Sequence, residues 1–169
     1  MSKSKSIFIV IVAYILSISA ILFISQILNY SNILNVLIAD VIATIIIFIF
    51  SVYFRNSSIY DPYWSVIPPV ILFYFIYLNN GFSFQAFLLS FSVIFWGVRL
   101  TFNWFRGWPG LHHEDWRYVE MRKFSGKYFQ FSNFFGIHLF PTFIVFFCCI
   151  PMYSALTKKI DIFTFLGFI

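Results

Sequence analysis

Four arginines and half of the chain's six acidic residues crowd into one stretch, Trp96 to Arg122 (WGVRLTFNWFRGWPGLHHEDWRYVEMR). The cations are Arg99, Arg106, Arg117 and Arg122; the carboxylates are Glu114, Asp115 and Glu120. A guanidinium stays charged when desolvated and presents paired N–H donors that match phosphate or carboxylate oxygens. On a helix, Trp96, Arg99, Asn103 and Arg106 fall within an arc of about 80°, with Arg99 and Arg106 about 10 Å apart along the axis. Two fixed cations with an amide between them suit an elongated polyanion. Arg106 could instead sit among lipid headgroups with Arg99 snorkelling to join it. Arg99 lies about 9 Å inside the expected helix end, which favours a polar pocket.

Other chemistry is sparser. Asp40 falls inside an apolar run, where a carboxylate costs about 2.5–3.5 kcal/mol on insertion scales, so it is a functional candidate unless it reaches the interface with Asn35. His138 stands on an apolar face near Pro141 and reads as a helix–helix hydrogen-bond partner or a ligand neighbour. His112-His113-Glu114-Asp115 lacks a second ligand pair at zinc-like spacing, so no metal site is assigned. The four read as ordinary solvated loop charges and local ion pairs, and Glu114 and Asp115 could instead orient Arg99, Arg106 or Arg117. Cys148 and Cys149 are adjacent in an apolar run and read as packing residues. There is no glycine-rich phosphate loop after a strand and no Ser–His–Asp or Cys–His arrangement.

Lipid must be the solvent that positions these groups. Of 169 residues, 61% are hydrophobic and only 10% charged, against about 25% charged in soluble domains. A soluble core of this size could not hide so much apolar surface. The formal charge of +5 marks no nucleic-acid partner, because the basic residues form no soluble patch. The spacing of apolar runs predicts an all-α, multi-span helix bundle. Full spans are expected at Ile7–Leu28, Ile33–Phe54, Tyr63–Leu78, Ser83–Phe105 and Phe134–Tyr153. Ile160–Ile169 would be a partial sixth, so the single domain 1–169 is expected to be incomplete at its C-terminus. Asp61-Pro62 fits an N-cap followed by a first-turn proline. Pro68-Pro69 should kink or break the third span. His112 to Phe124 could form an amphipathic helix with Trp116, Tyr118, Val119 and Phe124 toward the membrane.

Alternating the spans puts Lys3, Lys5, Arg55, Arg106, Arg117, Arg122, Lys123 and Lys127 on one side, and only Lys158 and Lys159 on the other. The positive-inside rule then places the N-terminus and the 107–132 loop in the cytoplasm, where nucleotide cofactors are available. A transporter lined by Asp40, Arg99 and His138 fits less well, because Asp40 and Arg99 fall at different depths.

Asp61–Trp64 (DPYW), Trp96–Leu100 (WGVRL), Asn103, Arg106 and Glu114–Tyr118 (EDWRY) together resemble the steroid 5-alpha-reductase-like membrane family, in its branch of uncharacterised function. The match runs from about Asp61 to at least Pro151. The resemblance implies NADPH as cofactor and reduction of a carbon–carbon double bond in a steroid- or lipid-like substrate. It also implies a cofactor end that includes Asp61, Arg99, Asn103, Arg106, Asp115, Arg117 and Tyr118. It names no proton donor; Tyr60, Tyr63 and Tyr118 are candidates by chemistry. The family's C-terminal cofactor signature, an acidic AD-type stretch and a His-Pro-Asn-Tyr segment followed by Gly-Glu, does not occur in the sequence. A second polypeptide supplying those helices is therefore an expected partner, and a non-enzymatic remnant or half of a split enzyme is the alternative reading. The membrane would be the endoplasmic reticulum in a eukaryote and the cytoplasmic membrane in a bacterium.

Overall fold

A computed structural model describes residues 1–79, 81 and 83–157. Seven α-helices follow one another: α1 (Lys3–Ile27), α2 (Asn32–Tyr53), α3 (Tyr63–Leu78), α4 (Phe84–Gly107), α5 (Trp116–Ser125), α6 (Phe129–Ser132) and α7 (Phe140–Thr157). One 3-10 turn, Ser57–Ile59, precedes α3, and a π-helical segment, Asn133–Leu139, joins α6 to α7. Among the described residues there is no strand. Five helical stretches are long and apolar enough to cross a membrane: Lys3–Ile27, Asn32–Tyr53, Ser57–Leu78, Phe84–Gly107 and Trp116–Thr157. The expected partial sixth span, Ile160–Ile169, lies outside the described residues, as do Lys158 and Lys159.

Short polar side chains set the helix starts. Ser2, Ser31 and Ser83 accept the N–H groups of Lys5, Leu34 and Ala86, the donors that a helix leaves free in its first turn. Asn35 closes the α1–α2 turn: its amide donates to the Leu28 carbonyl and its oxygen accepts from Tyr30 N–H. α1 then packs on α2 through small residues, with Ala13, Ser17, Ala39 and Ala43 all fully buried. Ser17 adds a hydrogen bond to the Ala43 carbonyl at 3.2 Å. Close backbone approach through small residues is how helices associate in lipid, where no hydrophobic force drives them together. Large apolar side chains such as Phe8, Ile15, Phe23, Phe91 and Phe95 point outward and are exposed, as a lipid solvent allows.

α3 is the central helix. Its Ile67, Ile71, Leu72 and Phe75 are fully buried, and it packs against both α4 and α7. The helix runs through Pro68-Pro69 without interruption, so of the expected kink or break the break does not occur. Pro69 has no N–H to give the Ser65 carbonyl, and α4 uses that carbonyl for a close approach. A Cβ built on Gly97 would lie 2.5 Å from the Ser65 oxygen, so only glycine fits there. Ser65 Oγ and Thr101 Oγ1 share a hydrogen bond at 2.9 Å across the same contact. The π-helical segment has a similar origin. Pro141 cannot donate, and the preceding turn widens so that Phe140 N–H reaches the Phe135 carbonyl.

Two local expectations are corrected. Asp61 is not the N-cap of α3; Pro62 holds that position with no side-chain cap, and the Asp61 carboxylate is turned to Tyr118 instead. The helix expected from His112 begins only at Trp116, because the Asp115 side chain accepts from Arg117 N–H and fixes the start there.

Candidate functional site

The polar residues gather at one end of the bundle. Lys3 Nζ reaches the Arg106 carbonyl at 3.4 Å, and Leu111 N–H donates to Ser6 Oγ at 3.1 Å. The N-terminus and the 107–115 loop therefore share an end, as the alternation of spans requires. The loop after α2 joins them, since Asn56 Nδ2 donates to the carbonyls of Leu111 and His113 at 3.1 and 2.8 Å.

Four of the sequence-derived site residues meet here. The Tyr118 hydroxyl donates to Asp61 Oδ1 at 2.5 Å. Asp115 takes a two-pronged contact from Arg117, Nε to Oδ1 at 2.8 Å and Nη2 to Oδ2 at 3.0 Å. Those donors hold the Asp115 carboxyl below the usual aspartate range. Tyr118, expected on a membrane-facing stripe, is instead turned inward and half-buried, whereas Trp116 and Phe124 are exposed. Asp61 and Asp115 line a small cavity of about 160 Å³ with Ser58, Trp104, Trp108 and His113. The indole N–H of Trp104 is buried there without a partner among the described residues.

Arg99, Asn103 and Arg106 lie apart from that group. All three are exposed on α4. Gly97 presses the opposite side of α4 on α3, and that turns Arg99 outward. Among the described residues neither Arg99 nor Arg106 pairs with a carboxylate. Arg106 rests over the Phe102 ring at 5.8 Å. The other site-region cations are engaged, Arg117 by Asp115 and Arg122 by Glu114 at 2.9 Å. Glu114 and Asp115 thus orient Arg117 and Arg122, not Arg99 or Arg106. Among the described residues no three His, Cys, Asp or Glu side chains converge as metal ligands.

Sequence reading overlooked the Asn56-Ser57-Ser58 turn. Ser57 N–H donates to Glu114, Ser57 Oγ donates to Asn133 Oδ1, and Ser58 Oγ accepts from Asp115 N–H. This tripeptide ties the 111–115 loop to the π-helical segment. The signal was present: three polar residues with capping chemistry between two apolar runs.

A second polar group lies inside the bundle. The Tyr63 hydroxyl donates to Asp40 Oδ1 at 2.7 Å, so Asp40 turns inward and does not join Asn35. The Tyr60 hydroxyl, Thr44 Oγ1 and Thr142 Oγ1 meet at 2.8 Å, and Thr142 donates onward to the His138 carbonyl at 2.9 Å. The Tyr60 ring lies 5.0 Å from Tyr63 and 4.7 Å from His138. All of these residues are buried, and Asp40 Oδ2 and His138 Nε2 have no partner among the described residues.

Residues 47–169 match the family described as "Protein of unknown function (DUF1295)". The chain belongs to this family. DUF1295 includes steroid 5-alpha-reductase-like proteins, and its matched region takes in every site residue named above from Asp61 to Tyr118. An uncharacterized protein of Schizosaccharomyces pombe is 27% identical over 111 residues. That alignment covers 63% of this chain and 32% of the relative, so the chain aligns with about a third of that protein's length. No solved structure matches.

Proposed function

We propose that this DUF1295 chain forms the cofactor-receiving part of a membrane reductase that uses NADPH to reduce a carbon–carbon double bond in a steroid- or lipid-like substrate. The observation that carries the reading is the outward face of α4. Arg99, Asn103 and Arg106 share it, all exposed, and the two arginines lack carboxylate partners among the described residues. Charges within a membrane protein ordinarily pair, so a row of free guanidinium groups is poised for an anion. The donor set, two guanidinium groups and an amide, fits phosphate oxygens.

When bound, NADPH supplies a hydride. Arg99 and Arg106 would hold phosphate oxygens by charge-assisted hydrogen bonds, with Asn103 between them. Asp115 keeps the Arg117 fork fixed, and Asp61 keeps the Tyr118 hydroxyl fixed, at the same end of the bundle. The Tyr63 and Tyr118 hydroxyls each give their proton to a carboxylate, so either would serve as donor to substrate only after turning from that partner. The helices carrying the missing family signature would come from further chain or a second polypeptide. On the positive-inside rule this end faces the cytoplasm. Reconstituting the chain in bilayers with NADPH and a panel of unsaturated sterols and isoprenoids tests the reading. Substrate-dependent NADPH oxidation is expected once the partner helices are present; absence of any NADPH binding by the chain, alone or with them, would sink it.

A further inference from the structure

α1 and α4 lean together at Lys3 and Arg106 and then part. Between them runs an apolar cleft of about 650 Å³, floored by Pro62, Ser65, Val66 and Pro69 of the loop and α3. Its walls include Ile7, Val10 and Ile15 on one side and Ile94, Val98 and Phe102 on the other. A second hollow of about 390 Å³ adjoins it through Ile7, Ile11 and Phe105, and Lys3 closes that end.

The mouth is cationic. Lys3 Nζ lies 5.1 Å over the Phe105 ring, and the Arg106 guanidinium lies 5.8 Å over the Phe102 ring. Both rings line the cleft, so each cation is held at its rim by an aromatic wall. Among the described residues no carboxylate lines either hollow. Lys3 uses one donor on the Arg106 carbonyl and keeps two more. From Ile7 to Ile18 the α1 wall rises about 16 Å, a length suited to an extended chain and not to a compact solute.

We propose that this cleft seats one acyl chain of an anionic phospholipid, whose phosphate is held at the rim by Lys3. An apolar shaft ending in cations with no opposing acid complements that amphiphile and no neutral one. The site is separable from the reductase reading: Lys3, which holds the phosphate here, has no part in that reading, and Lys3→Gln leaves Arg99 and Arg106 in place.

Native mass spectrometry of the delipidated full chain, titrated with palmitoyl-oleoyl phosphatidylglycerol, tests this directly. One phosphatidylglycerol should be retained per chain, at least about fivefold more tightly than phosphatidylcholine of the same chains. One lysine at a membrane surface contributes about this factor, so Lys3→Gln should remove most of the preference. Val98→Trp and Ile11→Trp fill the cleft from opposite walls at exposed positions, and each should abolish retention while leaving helical circular dichroism unchanged. Equal retention of both lipids, retention unaffected by both tryptophans, or tighter retention of free oleate than of phosphatidylglycerol would each overturn the proposal.

Discussion

The interior of the bundle and the outward face of α4 treat charge in opposite ways. Inside, Asp40, Tyr60, Tyr63, Thr44, Thr142 and His138 are each hydrogen-bonded within this chain, with Asp40 Oδ2 and His138 Nε2 unpartnered among the described residues. On α4, Arg99 and Arg106 are exposed and engage no carboxylate among the described residues. A buried polar group without a partner costs about 1–3 kcal/mol, so the first group is bound to the fold's stability. The second has no such partner to lose, and on the proposed reading it receives an anion. Changes in one region should therefore move stability, and changes in the other should move ligand affinity.

The sharpest way to break that division is at Gly97. Gly97→Val should push α4 off the Ser65 carbonyl and cost about 3 kcal/mol or more, read as a fall in thermal midpoint in detergent. A midpoint equal to wild type would mean that α3 and α4 do not pack as described. Tyr63→Phe comes next. It strips Asp40 Oδ1 of its donor and should destabilise by about 1–3 kcal/mol. If Tyr63→Phe left stability intact, the interior group would no longer be structural.

Smallest is the ion pair at the start of α5. Arg117→Ala should cost less than about 1 kcal/mol, because the pair is partly exposed. The Asp115 carboxyl is depressed when folded, so its contribution is present above the ordinary aspartate range near about 3.9. That contribution fades as the pH falls through the lower folded value. Thermal midpoints of wild type and Arg117→Ala should hence converge on acidification. Divergence in acid would reverse the assignment.

Much of the fold was legible because lipid imposes a simple rule: a span needs about 20 apolar residues with its backbone bonds closed internally. The starts of the second span near Ile33 and of the fourth near Ser83, and the shared end of the polar loops, follow from pattern alone. Partner choice was less legible. Asp61 looked like a cap by position, yet a tyrosine 57 residues away captures it. Asp40 could have gone to the interface or the interior, and only the placement of Tyr63 decides. The role of Ser57 depends on Glu114 and Asn133 arriving from two other elements, which no local spacing encodes. The α4 stripe was readable because helical periodicity fixes a face, although what covers that face is not a local property.

Isothermal titration of NADPH into detergent-solubilised wild type and an Arg99→Ala, Arg106→Ala double variant tests the central claim most directly. Two charge-assisted contacts at about 1.5–3 kcal/mol each imply a loss of affinity of roughly a hundredfold or more, with an unchanged thermal midpoint. Equal affinity in the two proteins would contradict the account.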